Sequence, residues 1–373
     1  MLLSQRWHAS GGASGLRRGK LLKGEERNVV EVWLPGIFPS NYPFAFYKCV
    51  TMSGLDSSVK IAGTATRRFA WEQADRLLGR LAFQVGRTIK FHNAEAVHDL
   101  RVSIRRFAQA LRVLKPCFRG KELRKIRREL KSIMTVAGEV RNHDIALKLL
   151  AKSKRAERSG LQPKIQSRRR EAERSLATLL KSWLERKSSL KWRGALESAA
   201  AEAGADFAKA PTAQTARQML PGMAQDFFER GDEAASVKAP LRELHRFRLA
   251  SKKFRYTLEL FTALGGAALN PKLEAIRGVQ TLLGDINDFE TVREMLAQYE
   301  GAETVVAWLK KRQRKRLAEF REYWAATFAP PAERQNWIGF LKHLAAEPRA
   351  AKKPAGRSGA ESRVGGRSRV AVA

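Results

Sequence analysis

One amphipathic stretch occurs twice in this chain, and its polar side is repeated as faithfully as its apolar side. The first copy runs His98-Asp-Leu-Arg-Val-Ser-Ile-Arg-Arg-Phe-Ala-Gln-Ala-Leu-Arg-Val-Leu114. Wound as a helix, it gathers Leu100, Ile104, Phe107, Leu111 and Leu114 on one arc. His98, Arg101, Arg105 and Arg112 fall on the opposite arc. Asn93 is placed to cap this helix, with Glu95 in its first turn and Pro116 just past its end. The second copy runs His245-Arg-Phe-Arg-Leu-Ala-Ser-Lys-Lys-Phe-Arg-Tyr-Thr-Leu-Glu-Leu-Phe261. The pairs are His98/His245, Arg101/Arg248, Val102/Leu249, Arg105/Lys252, Arg106/Lys253, Phe107/Phe254 and Leu111/Leu258. A packing constraint alone would repeat the apolar arc and let the polar arc drift. The return of histidine, arginine and the basic doublet points to a shared chemical role.

A second block also returns, in the same order and at nearly the same separation. Thr135-Val-Ala-Gly138-Glu139-Val140-Arg-Asn142 matches Thr281-Leu-Leu-Gly284-Asp285-Ile286-Asn-Asp288, and Lys131/Arg277 with Ile133/Val279 extends the match upstream. The separation far exceeds a solenoid repeat, so the chain reads as an internal duplication of one helical unit.

The H-x-x-R-V-x-x-R-R and L-G-x-x-N-D blocks, each in two copies between about Thr64 and Phe328, resemble the CHAD domain family, a histidine-containing all-helical domain of phosphate biology. The resemblance implies an all-α fold of two pseudo-symmetric bundles around a central basic cavity that binds inorganic polyphosphate. Some members carry an N-terminal triphosphate-tunnel domain, whose E-x-E-x-K signature is not visible here. One departure is Arg141-Asn142-His143-Asp144 where the family has Arg-Asp, which puts a carboxylate role at Asn142 in doubt.

Composition agrees with a polyanion partner. The net charge is +34 over 373 residues, a repulsion that anion binding relieves. The hydrophobic fraction of 44% suffices for a packed core. Cys49 and Cys117 make no disulfide framework and suit a reducing compartment. No apolar run approaches the roughly 18 residues of a membrane span.

Residues 1–63 read as a poorly ordered extension, or as sequence preceding a true start at Met52. Residues 64–346 form the helical domain, with halves of about 64–204 and 211–346, and residues 347–373 a disordered basic tail. Glycines are expected to break or end helices at Gly138, Gly265-Gly266 and near Gly284, and Pro221-Gly222 to kink one.

Arginine's planar fork can give paired hydrogen bonds to phosphate oxygens, and lysine a compact charge. Cations at i, i+3 and i+7 lie about 5 to 10 Å apart along a helix, a ladder for successive phosphates. The expected ligands are His98, Arg101, Arg105, Arg106, His245, Arg248, Lys252 and Lys253, with Lys131, Arg255 and Arg277 beside them. The two histidines are expected to be neutral among cations and to gain a proton with a bound polyanion, or else to hydrogen-bond a helix end. Glu139, Asp144, Asp285 and Asp288 are read either as carboxylates that orient the arginines or as first-turn helix charge. Tyr256 and the tryptophans at 183, 192, 308 and 324 read as core.

The expected function is non-catalytic binding of inorganic polyphosphate, in the cytoplasm or on polyphosphate granules, without a cofactor or metal. Two alternatives stand beside it. One is nonspecific nucleic-acid binding through net charge. The other is a metal-dependent phosphohydrolase built on His98-Asp99 and His143-Asp144. The duplication weighs against the second, because Arg246 and Phe289 occupy the matching steps of Asp99 and His143. Oligomeric state and preferred chain length are not legible in the residues.

Overall fold

The computed structural model describes residues 65–118, 121–153, 159–201 and 212–344. The expected extension at 1–63, the start at Met52 and the tail at 347–373 lie outside the described residues. Among the described residues all regular structure is helical. The first half holds α1 (Ala65–Phe91), α2 (Ala94–Val113), α3 (Glu122–Leu150), α4 (Leu161–Glu185) and α5 (Ser188–Ala201). The second holds α6 (Thr212–Ala235), α7 (Leu241–Leu260), α8 (Asn270–Leu296), α9 (Glu303–Thr327) and α10 (Pro331–Lys342). No described helix is long and apolar enough to cross a membrane.

The start of α2 is set as its sequence predicts. His92 takes a left-handed backbone conformation, at φ 51°, that reverses the chain after α1. The Asn93 side chain then accepts a hydrogen bond from the Ala96 N–H at 2.8 Å, satisfying a donor the helix cannot pair internally. Leu100, Ile104, Phe107, Leu111 and Leu114 are all buried.

The expected glycine breaks are not where the helices end. α3 runs unbroken through Gly138, and α8 runs through Gly284. Their stripes continue across the glycines as buried Ala137 and Val140, and as buried Leu283 and Ile286. Burial of those side chains outweighs a glycine cost of about 1 kcal/mol. α6 likewise contains Pro221, flanked by buried Leu220 and Ala224. α7 stops at Leu260, short of the expected Gly265-Gly266, and a turn at Thr262–Gly265 leads into Gly266 at φ 53°.

Packing partners run in the same order in the two halves. α1 lies on α2, α2 on α3, α3 on α4 and α5 on α1; α6 lies on α7, α7 on α8, α8 on α9 and α10 on α6. The halves meet through α2 on α7, α3 on α8 and α1 on α6. One apolar core is continuous across them, joining Leu100, Ile104 and Phe107 to Phe254, Leu258 and Val279. Phe69 stacks on Phe261 across this junction, with ring centroids 5.9 Å apart. A smaller apolar cluster at one end joins Leu150 and Ile165 to Val292 and Leu309. Trp183, Trp192 and Trp324 are buried as expected, and Trp308 packs against the smaller cluster.

Gly231 in α6 is in direct contact with the Trp324 indole, and an added Cβ would overlap that ring. Trp324 is itself wedged among Phe227, Phe247 and Phe328, so it has no room to retreat. Gly231→Ala is therefore expected to destabilise the fold by about 1–3 kcal/mol despite alanine's better helix propensity. Chemical denaturation midpoints for the variant and the parent protein measure this.

Candidate functional site

Six charged side chains converge on the seam where the halves meet. Arg101 and Arg105 come from α2, Arg141 from α3, Arg248 and Lys252 from α7, and Asp288 from α8. The convergence follows from the packing. Arg101 and Arg105 are one turn apart, as are Arg248 and Lys252, so each helix presents a pair on one side. With α2 against α7 and α3 against α8, these sides share one space. All six residues are partly buried.

Their electrostatics are those of crowded like charges. Burial, then Arg248 and Arg105, pull the Lys252 amine down to about 6. Burial, then Arg105, Arg141 and Arg248, lower Arg101 to about 10, which leaves it charged at neutral pH. Arg248 is lowered by burial, with Asp288 opposing and Arg105 reinforcing. Burial raises the Asp288 carboxyl against the pull of Arg248, Arg141 and Lys252. Among the described residues, none of these five cations forms an ion pair. Arg101 Nη1 donates to the Met134 carbonyl at 3.2 Å. Arg248 Nε is buried without a hydrogen-bond partner. Buried donors are normally satisfied, so a group of this kind calls for an acceptor.

The other predicted residues fall outside this group or at its rim. His98 is exposed at the edge; burial lowers its pKa, Arg141, Arg105 and Arg101 reinforce this, and Asp99 opposes it. His245 is also exposed, with Nδ1 3.2 Å from the Asn287 side-chain oxygen. It lines a recess of about 60 Å³ together with Arg248, Asn287, Glu290 and Gln313. Arg106 turns away and pairs with Glu259 at 3.0 Å. Arg255 pairs with the same Glu259 and donates to Gln280 at 2.6 Å. Arg106 thus ties α2 to α7, Arg255 ties α7 to α8, and neither is in the group. Lys253 and Lys131 are exposed, and Arg277 is exposed and paired with Glu274.

The four carboxylates divide as well. Asp288 faces the cations, whereas Asp144 binds Arg169 at 2.7 Å and Asp285 binds Arg316 at 2.6 Å. Glu139 is exposed. All four lie inside long helices, so they are not first-turn charges. Tyr256 is buried, with the Arg255 guanidinium 4.6 Å from its ring centroid.

Arg141 was not among the residues expected here. Its matching step in the second half is Asn287, so repetition could not reveal it. The available signal was helical spacing, since Arg141 lies one turn beyond Gly138 on the same face.

The two His-Asp pairs are otherwise engaged. Asp99 binds Arg87 at 2.5 Å, and His143 Nδ1 lies 2.8 Å from the Glu139 carbonyl. Among the described residues no three His, Cys, Asp or Glu side chains gather as a candidate metal site.

Comparison with known proteins gives a family and a fold. The family model described as CHAD domain matches residues 72–297. The chain is similar to the crystal structure of the CHAD domain from the plant Ricinus communis, with 21% identity and a TM-score of 0.56. That match covers 76% of this chain and 93% of the plant one. It is also similar to PptA from Streptomyces chartreusis, at 18% identity and a TM-score of 0.48, covering 68% of this chain and 99% of that one. No curated protein sequence matches.

Lys252 offers a test of the charge crowding itself. Its folded pKa of about 6 lies below the ordinary lysine value of 10.5, so the unfolded chain binds more protons between those values. Its penalty is absent above pH 10.5, grows as pH falls, and is complete below about 6. Lys252→Met is expected to raise the thermal midpoint, with the gain over the parent protein widening from pH 9 to pH 6. Melting curves at fixed ionic strength across that range check it; a constant gap would contradict the assigned burial.

Proposed function

Because the chain belongs to the CHAD domain family, we propose that it binds inorganic polyphosphate in the cationic seam between α2, α3, α7 and α8, without transforming it. The observation that carries this reading is five partly buried cations facing one carboxylate, with a guanidinium nitrogen of Arg248 unsatisfied. Polyphosphate has no base edges to read, so a ligand of this kind is recognised by charge and spacing alone. Guanidinium forks suit its oxygens, and partial burial strengthens each contact relative to open water. The same order of packing pairs and the repeated motifs support two copies of one unit, each lending a basic pair to a shared site. The reading suits work in the cytoplasm, including on polyphosphate granules.

Nonspecific nucleic-acid binding is the second reading, favoured by the exposed basic run Lys310, Lys311, Arg312, Arg314 and Lys315 on α9. The two make different demands. Diffuse binding depends on the total charge, and a seated phosphate chain depends on particular cations.

Arg105→Ala with Lys252→Ala is expected to weaken binding of polyphosphate of defined length at least tenfold in about 0.15 M salt. The pair Arg124→Ala and Arg128→Ala, both exposed on α3 and removing at least as much charge at neutral pH, is expected to change it less than threefold. Calorimetric titration reads both, and equal losses would favour diffuse charge. Single-stranded DNA at equal phosphate concentration should fail to displace the polyphosphate.

The affinity should also rise as pH falls from about 8 to about 6 at fixed salt. A bound polyanion raises the Lys252 pKa above its free value of about 6, so binding takes up a proton in that window. His98, lowered in the free protein, adds in the same direction. Titrations in buffers of different ionisation enthalpy count that proton, and a flat profile would contradict the linkage.

A further inference from the structure

The geometry points to Gly138 as a positioning residue for Arg101: lacking a Cβ, it lets the guanidinium lie on the flank of α3 and holds it toward the ligand. This rests on the reading that the seam takes polyphosphate. A Cβ built at Gly138 would stand 2.8 Å from Arg101 Nη1 and 3.8 Å from its Cζ. The same Nη1 donates to the carbonyl of Met134, one turn earlier on α3, at 3.2 Å. Arg101 is therefore anchored at its tip by the backbone of a neighbouring helix, and the missing side chain makes that approach possible.

The second half supplies an internal contrast. Gly284 is the matching glycine by sequence, yet a Cβ there would meet nothing within 4 Å. No contact in the structure explains Gly284. The neighbouring steps differ too: Arg141 and Asn142 follow Gly138, where Asn287 and Asp288 follow Gly284. The site is thus lopsided. One wall is Arg101 held against α3 with Arg141 beside it. The other is Arg248 and Lys252, with Asp288 near them and Arg248 Nε unsatisfied. An anion entering the seam meets one donor already fixed in direction and others free to adjust.

A methyl group at position 138 meets only the far end of a flexible side chain. Arg101 would swing aside at little cost, and alanine is the better residue for a helix interior. The consequence should fall on ligand binding and not on folding, which separates this role from that of Gly231.

The experiment compares the parent protein with Gly138→Ala, Arg101→Ala, the combined variant and Gly284→Ala. Each is titrated with short polyphosphate of defined length over a range of salt, and each is melted without ligand. Gly138→Ala should melt no lower than the parent protein and bind about tenfold more weakly. Its salt dependence should lose about one phosphate contact. Gly284→Ala should bind as the parent does. In the Arg101→Ala background, adding Gly138→Ala should cost nothing further, since the glycine acts only through that arginine. Unchanged binding by Gly138→Ala, or an equal loss with and without Arg101, would overturn the assignment. The side-chain Nε–H resonance of Arg101 should shift in Gly138→Ala and stay in place in Gly284→Ala. That readout needs no ligand, so a parent protein that fails to bind polyphosphate would refute the functional reading and leave the placement of Arg101 to be decided separately.

Discussion

Apolar contact between α2 and α7, and between α3 and α8, holds four guanidinium groups and a lysine amine together against the repulsion of their charged forms. Arg101, Arg105, Arg141, Arg248 and Lys252 share one facing carboxylate, Asp288, and none has an ion pair among the described residues. Like charges at close range in a partly dry environment repel by on the order of 1–4 kcal/mol per pair. The buried stripe of Leu100, Ile104, Phe107, Phe254 and Leu258 opposes that repulsion and fixes the seam. The Lys252 amine registers the strain most plainly, titrating near 6.

The remaining arginines show how differently the chain treats a cation it uses structurally. Arg106 and Arg255 share Glu259, and through it Arg106 binds the halves to each other. Arg169 takes Asp144 and Glu173 and also donates to the His92 carbonyl, securing the turn between α1 and α2. Gln109 donates to Thr257 at 3.0 Å, a buried polar link across the same junction. These structural arginines are paired with carboxylates, whereas the cations of the seam are not. Such an arrangement costs stability in the free protein and favours whatever anion relieves it.

Much of this was legible in the residues. The apolar arc of α2, the Asn93 cap and the burial of Tyr256 follow from helical period and side-chain chemistry. Repetition of the polar arc pointed to Arg101, Arg105, Arg248 and Lys252. Repetition could not separate adjacent members of a basic doublet. Arg105 and Arg106 differ by about 100° around the helix, and only packing decides which one meets the seam. Arg141 was hidden because its counterpart is Asn287. The carboxylates looked equivalent along the chain, yet Asp144 and Asp285 found arginines on α4 and α9. Gly138 looked like a helix break because local propensity disfavours glycine there; tertiary packing carries α3 through it and makes the missing side chain useful.

The proposed seating of a phosphate chain is among these unpaired guanidinium groups and not over the surface. It is tested most directly by following arginine side-chain Nε–H resonances while short polyphosphate is added. Arg248, Arg101 and Arg141 should shift together and saturate at one ratio, while exposed Arg124 and Arg128 on α3 stay in place. Shifts spread evenly over surface arginines, with the Arg248 signal unmoved, would contradict it.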